Sequence, residues 1–128
     1  MTLLLDSHVL LWLLLGDDRI PPDVIDMLED VRVEVVVSVA TQWELMLKAQ
    51  SGRLRLPDLP ERFLIDPLEE AGFRILPVET RHVLGLAELP HIHADPFDRL
   101  LISQALVDDL DLVTGDAVIR SYPVRTVW

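Results

Sequence analysis

Two carboxylates stand just after strand-like runs in this sequence of 128 residues. Asp6 comes after the apolar run Leu3–Leu5 and is the only charged residue among the first sixteen. Asp116 comes after the run Asp111–Thr114. A lone carboxylate in apolar sequence is costly to bury without a partner. Asp6 therefore needs a hydrogen-bonding or charged partner.

Three more acids stand at comparable places. Glu44 lies early on the helix predicted after the second strand, and Asp95 and Asp98 open the helix predicted before the fourth strand. Ligands of open α/β sheets bind outside the carboxyl ends of the strands. Acids from four well-separated segments are therefore predicted to point at one edge of the sheet.

Each acid also has a purely structural interpretation. Asp6 and Asp116 are both placed to cap a helix that begins directly after them. Glu44 and Lys48 are i,i+4 neighbours and fit an ordinary surface ion pair. The sequence "DPFD", which begins at Asp95, is a satisfactory helix start without any catalytic role.

Taken together, the acids favour a metal site. Carboxylates within a few ångströms of each other raise each other's pKa unless a cation neutralises them. The chain has no cysteine and no paired histidines on a helix, so all-oxygen ligation favours Mg²⁺ or Mn²⁺. Such a site suits in-line displacement at phosphorus.

The elements that position these acids are short strands alternating with segments of helical length. Five runs are typical of strands: Leu3–Leu5, Val33–Val37, Phe73–Pro77, Asp111–Thr114 and Val124–Val127. Alternation of this kind predicts an α/β fold, a parallel sheet of about five strands with helices on both faces. No linker or repeat interrupts residues 1–128, so we expect one domain.

The helical segments carry their own signals. Ser38 is placed to cap the segment that ends near Gly52. Pro67 should divide the segment 60–72 into two shorter helices. The helix after Pro21 is predicted to bury a stripe of four residues, Val24, Ile25, Leu28 and Val31.

Composition narrows the class of protein. The 22 acidic residues against 11 basic ones give a net charge of −11, the wrong sign for gripping nucleic acid by charge alone. This balance suits a chain that gathers cations or binds a basic partner. The longest strictly apolar run, Val9–Leu15, is too short to cross a bilayer, and no basic segment precedes Asp6 as in a secretory signal. We expect a cytoplasmic protein without membrane contact.

Four stretches in order, "LLLDSHVLLWLL", "SVATQWELMLKAQSGRLRLP", "HADPFDRLLISQA" and "LVTGDAVIRSYPV", resemble the motifs of PIN-domain ribonucleases. The resemblance is to the VapC-like toxins of bacterial type II toxin–antitoxin systems and covers nearly the whole chain. It implies a PIN-like fold and a Mg²⁺-dependent endoribonuclease, with Mn²⁺ as a possible replacement. The implied catalytic acids, which are also metal ligands, are Asp6, Glu44, Asp98 and Asp116. Asp95 matches a further acid of this branch and is included as a metal ligand.

The resemblance also implies partners and substrate contacts. An RNA substrate, a cognate antitoxin with a basic segment and a homodimer are expected. Ser7 stands where the family often has threonine, and Thr114 matches the hydroxyl residue before the last acid. We count both as candidate substrate contacts.

Three basic side chains near these motifs each have two interpretations. Lys48 is placed either to contact a phosphate or to pair with Glu44. His93, the second histidine of an H-x-H sequence, belongs either to an exposed loop or to the substrate site. Arg99 either faces the groove or pairs with a neighbouring acid. The tryptophans are expected in the core or an interface, since none lies in a basic stretch: Trp12, Trp43 and Trp128.

Rival enzyme classes fit less well. A phosphoaspartate receiver domain needs an acidic pair after the first strand and a lysine near the last one, but Asp6 stands alone and no lysine follows Lys48. A phosphatase with an aspartyl nucleophile needs D-x-D, and the second acid position is His8. The remaining alternative is a non-catalytic PIN-like module that acts through protein contacts.

Overall fold

A computed structural model describes residues 1–128 and contains one sheet of five strands. The strands are β1 (Thr2–Leu5), β2 (Glu34–Ser38), β3 (Arg74–Leu76), β4 (Asp111–Val113) and β5 (Thr126–Val127). Their order is β3-β2-β1-β4-β5, and every neighbouring pair is parallel. The predicted parallel α/β sheet is confirmed.

Eight α-helices connect and cover these strands. They are α1 (Ser7–Leu15), α2 (Pro22–Glu29), α3 (Val39–Gln50), α4 (Pro60–Leu64), α5 (Asp66–Glu70), α6 (Thr80–Gly85), α7 (Pro96–Val107) and α8 (Ala117–Arg120). A short 3₁₀ turn, Leu86–Glu88, extends α6. No helix is long and apolar enough to cross a membrane.

The two faces of the sheet are buried by different helices, because successive side chains of a strand point to opposite faces. Leu3 and Leu5 of β1 pack in a cluster with residues of α1 to α5. Leu4 packs in a second cluster with Leu101 and Ile102 of α7. The predicted coverage of both faces is therefore confirmed.

The local sequence signals predicted where helices begin and break better than where they end. Ser38 caps α3, accepting from the backbone N of Ala40 at 3.0 Å, and Pro67 stands where α4 gives way to α5. The expected stripe on α2 was wrong at Val31, which is 99% exposed. The helix stops at Glu29, two residues earlier, so Val31 lies outside the stripe.

Candidate active site

The carboxyl ends of β1 and β4 place Asp6 beside Thr114. The backbone N of Asp6 donates to the Val113 carbonyl at 3.1 Å, which continues the pairing of the two strands by one residue. Asp6 Oδ1 accepts from the backbone N of Val9 at 2.7 Å, and Oδ2 accepts from the Thr114 hydroxyl. The capping interpretation of Asp6 is thus correct. One oxygen serves that purpose and the other turns towards β4.

Thr114 links Asp6 to Asp116. Its Oγ1 donates to Asp6 and accepts from the backbone N of Asp116 at 3.1 Å. Asp116 Oδ1 caps α8 by accepting from the backbone N of Val118 at 2.8 Å. Burial raises the pKa of Asp6, and the nearby charge of Asp116 adds to that effect although the Thr114 hydrogen bond opposes it. The surroundings of Asp6 therefore disfavour its ionised form, mainly because it is buried.

Glu44 approaches the same edge from α3. Its carboxylate is buried, with Oε1 accepting from the Ser7 hydroxyl and Oε2 lying 3.1 Å from Lys48 Nζ. Because Ser7 follows Asp6 in the chain, Glu44 is tied to the start of α1. The Glu44–Lys48 pair is present, but it is largely buried rather than an ordinary surface pair.

Asp95 and Asp98 sit at the start of α7. Asp95 Oδ1 accepts from the backbone N of Phe97 at 2.9 Å and of Asp98 at 3.2 Å, which confirms its capping role. Burial, together with the charges of Asp95 and Glu44, raises the pKa of Asp98 to about 6, although its hydrogen bond with His93 opposes the rise. Asp98 thus belongs to a second group of mutually repelling acids.

A cleft of about 340 Å³ opens between α3 and α7. Its lining includes the acids Glu44, Asp95 and Asp98 and the bases Lys48 and Arg53. A larger cavity of about 560 Å³ lies beyond the amino ends of β2 and β3, with nine hydrophobic residues among the thirteen that line it. The larger cavity has two acids of its own, Glu29 and Asp30, but none of the five candidate acids lines it, whereas three of those five line the smaller cleft.

The donors present suit a hard divalent cation, but they are not assembled around one point. No group of three or more acidic or histidine side chains is arranged to hold a metal ion. Asp95 and Asp116 each use Oδ1 for their caps, and their Oδ2 atoms accept no hydrogen bond. All five carboxylates are oxygen donors of the kind that Mg²⁺ prefers. The donor chemistry therefore fits a hard divalent cation.

His93 and Arg99 meet at Tyr122, a residue that was not selected as a candidate. His93 lies on the loop before α7 but is half-buried rather than exposed, with Nε2 3.1 Å from Asp98 Oδ2. Arg99 Nη1 donates to the Pro90 carbonyl at 2.9 Å and to the buried Tyr122 hydroxyl at 3.1 Å. Arg99 therefore neither pairs with an acid nor lines the cleft. Tyr122 lies within the fourth motif-like stretch and is the sole tyrosine, but neither signal indicated its contacts.

The three tryptophans differ in burial. Trp43 is 58% exposed and contacts Phe97 edge-on, with ring centroids 5.0 Å apart. Trp12 is partly buried against the core cluster and packs with Trp128 at 6.0 Å between ring centroids. Trp12 therefore fits the expected core position in part, whereas an interface role for the exposed Trp43 and Trp128 stays a prediction.

Comparisons with known proteins agree with this architecture. The family model described as the PIN domain matches residues 3–124. No curated protein matches the sequence.

Solved structures are similar in fold at low identity. VapBC2 from Rickettsia felis, in a structure bound to a DNA fragment from its promoter, has a TM-score of 0.77 at 14% identity and covers 99% of this chain and 98% of the other. DNA-bound VapBC from Salmonella typhimurium has a TM-score of 0.71 at 17% identity, with 99% and 97% covered. VapBC-1 from nontypeable Haemophilus influenzae has a TM-score of 0.70 at 18% identity, with 99% and 97% covered. Because the family model spans nearly the whole chain, this protein belongs to the PIN domain family.

Proposed function

We propose that this protein is a divalent-metal-dependent endoribonuclease and the toxin of a type II toxin–antitoxin module. The observation that carries the proposal is the position of five acids from four chain segments at the carboxyl edge of a PIN-fold sheet. Asp116 lies near Asp6 there, and Glu44 and Asp95 lie near Asp98. The solved relatives named above are toxin–antitoxin complexes, which supports the same biological role.

The five acids would have different roles according to their positions. Asp6, Asp98 and Asp116 would hold the metal, with Asp95 as a further ligand through its free oxygen. Glu44, held by Ser7 and Lys48, would help to bind the metal or orient the attacking water. A bound Mg²⁺ or Mn²⁺ would neutralise charge on the phosphate and polarise the reacting bond.

The basic and hydroxyl side chains would place the RNA. Lys48 lines the cleft beside Glu44 and could exchange that partner for a phosphate. The Ser7 hydroxyl donates to Glu44 and the Thr114 hydroxyl donates to Asp6, so the first role of these hydroxyls would be to orient the two acids. His93 and Arg99 are engaged with Asp98 and Tyr122, which makes them supports of the site more than direct substrate contacts.

RNA cleavage tests the enzymatic part of the proposal. The purified chain should cut RNA with Mg²⁺, stop in EDTA and recover when Mg²⁺ is added in excess. Asp116→Asn should abolish cleavage while the fold persists, because asparagine also caps a helix well. Asp26→Asn on the exposed surface of α2 is the matched control and should cut like the wild type. Cleavage that continues in EDTA would refute metal dependence.

One observation favours the non-catalytic alternative. Three of the five acids serve as helix caps, and the acids do not already form a metal-binding group. If the wild type cut no RNA with either metal, and Mg²⁺ did not alter its thermal stability, the fold would be acting through protein contacts alone.

We infer that the partners are an antitoxin with a basic segment and a second copy of the chain. The net charge of −11 and the acidic cleft suit arginine side chains, whose planar fork pairs with carboxylates. The apolar surface left exposed on α1 and α3 suits a homodimer or an antitoxin helix. Size-exclusion chromatography with light scattering of the chain alone tests the homodimer, and the same measurement after addition of an arginine-rich peptide tests binding of a basic segment.

A further inference from the structure

The Tyr122 hydroxyl lies at the centre of a hydrogen-bond network that ends on Asp98. Tyr122 is 3% exposed and follows α8. Its hydroxyl oxygen lies 3.2 Å from the backbone N of His93, 2.8 Å from His93 Nδ1 and 3.1 Å from Arg99 Nη1. Three nitrogen atoms therefore compete for one hydroxyl group.

The number of hydrogens and lone pairs resolves this competition. A neutral phenol has one hydrogen to donate and two lone pairs to accept with. The backbone N–H of His93 and the Arg99 guanidinium are donors only, so together they use both lone pairs. When the imidazole is neutral, the phenol hydrogen then goes to His93 Nδ1 at 2.8 Å and not to the His93 carbonyl, which lies 3.5 Å away.

The same reasoning fixes the outer nitrogen of the imidazole. Because Nδ1 accepts, the ring hydrogen resides on Nε2, which faces Asp98 Oδ2 at 3.1 Å. We propose that Tyr122 is a positioning residue for Asp98: its hydroxyl holds the His93 ring with Nε2–H directed at the carboxylate. This inference deepens the proposed function and rests on it, since Asp98 matters through the metal it would bind.

A positioning role suits this geometry better than a general packing role. Partners that orient a metal-binding carboxylate typically contribute roughly 10–100-fold to metal affinity or activity. Arg99 also donates to the Pro90 carbonyl at 2.9 Å, so it keeps one anchor when the phenol oxygen is removed. The effect of Tyr122→Phe on Asp98 should therefore arise mainly from the lost hydrogen bond between the phenol and His93.

Nitrogen NMR of the imidazole ring tests the placement without any cleavage assay. In the neutral imidazole of the wild type, identified by following the ring signals as the pH is raised, His93 should carry its hydrogen on Nε2, and Nδ1 should show the shift of a hydrogen-bonded acceptor. Tyr122→Phe should return Nδ1 to the shift of an unbonded nitrogen and speed exchange of Nε2–H with water. Ser103→Ala is the matched control, because it removes another buried hydroxyl, whose Oγ donates to the His82 carbonyl at 2.6 Å. A neutral imidazole with its hydrogen on Nδ1 in the wild type, or unchanged signals in Tyr122→Phe, would overturn the inference.

A double-mutant cycle tests the route from Tyr122 to Asp98. Tyr122→Phe should slow RNA cleavage about 10–100-fold and raise the Mg²⁺ concentration that is needed. In a His93→Ala background the same change should have no further effect, whereas additive losses would contradict a route through His93. His93→Gln, whose amide can still donate towards Asp98, should retain more activity than His93→Ala. A wild type that cut no RNA would refute the proposed function, and the NMR result would still decide where the imidazole hydrogen lies.

Discussion

Replacing Asp98 by asparagine should stabilise the protein at neutral pH, at the expense of activity. The Asp98 side chain is only 18% exposed, and burial and neighbouring acids raise its pKa from 3.8 to about 6. A rise of this size corresponds to roughly 3 kcal/mol of unfavourable free energy in the ionised form. Solvent reaches part of the carboxyl and screens it, so we expect a gain of about 1–2 kcal/mol for Asp98→Asn.

The sign of the pH dependence follows from which state holds the proton more tightly. The folded protein keeps the Asp98 proton to a higher pH than the unfolded chain, so this group lowers the free energy of unfolding as the pH rises from about 4 to 6. Asparagine does not titrate. The advantage of Asp98→Asn should therefore be largest above about pH 7, fall to about half near pH 5, and vanish below about pH 4.

Urea denaturation at about pH 7.5 and about pH 5 measures this difference. At the higher pH a gain of about 1 kcal/mol would raise the melting temperature by roughly 4 °C. Asp26→Asn, which removes an exposed acid, should stay within about 0.5 kcal/mol of the wild type at both pH values. An Asp98→Asn variant that is less stable than the wild type at neutral pH would show that the His93 hydrogen bond outweighs burial, and the reasoning would fail.

Three further predictions follow from other contacts. Gly85→Ala should destabilise by about 1–2 kcal/mol despite better helix propensity, because its Cβ would lie 2.4 Å from Ser103 Oγ and 2.8 Å from Val107 Cγ2; adding Ser103→Ala should recover part of the loss in thermal melts. Asp6→Asn should melt at or above the wild-type temperature, since it keeps the cap and removes a buried charge, whereas Asp6→Ala should lose about 1 kcal/mol relative to it. The association rate with a basic antitoxin, measured by stopped flow, should fall as the salt concentration rises. If the rate changed neither with salt nor when Asp6 and Asp116 are neutralised by substitution, the antitoxin would not occupy the acidic site.

The sequence was sufficient for the elements because their signals are local. Apolar runs, Ser38 as a cap and Pro67 as a break each act within a few residues, so strands and helices were placed to within a residue or two. The strand order was beyond this reasoning, since periodicity carries no information about which strands become neighbours. The apolar spacing of α2 continues in the sequence as far as Val31, but the helix ends at Glu29, so Val31 is exposed.

The same distinction between local and long-range signals applies to the candidate site. The acids were visible because each follows a strand or opens a helix, and the fold brings such positions to one edge. The contacts between these residues were not predictable, although Thr114 and His93 were themselves candidates: Thr114 reaches Asp6 across 108 positions, and Tyr122 reaches His93 across 29. Contacts of that separation depend on strand order and on the return of the chain after α8. A single sequence does not encode either in a short motif.

Capping and metal binding are compatible uses of the same aspartates in this fold. A helix that starts directly after a parallel strand leaves unpaired backbone N–H groups at the carboxyl edge, and an aspartate there is held in place by them. Asp95 and Asp116 use one oxygen for that purpose and leave the other free. The cap fixes the carboxylate on a rigid element without consuming its capacity to bind a cation. Substitution by alanine would therefore confuse lost stability with lost chemistry, and asparagine, which caps equally well, separates the two.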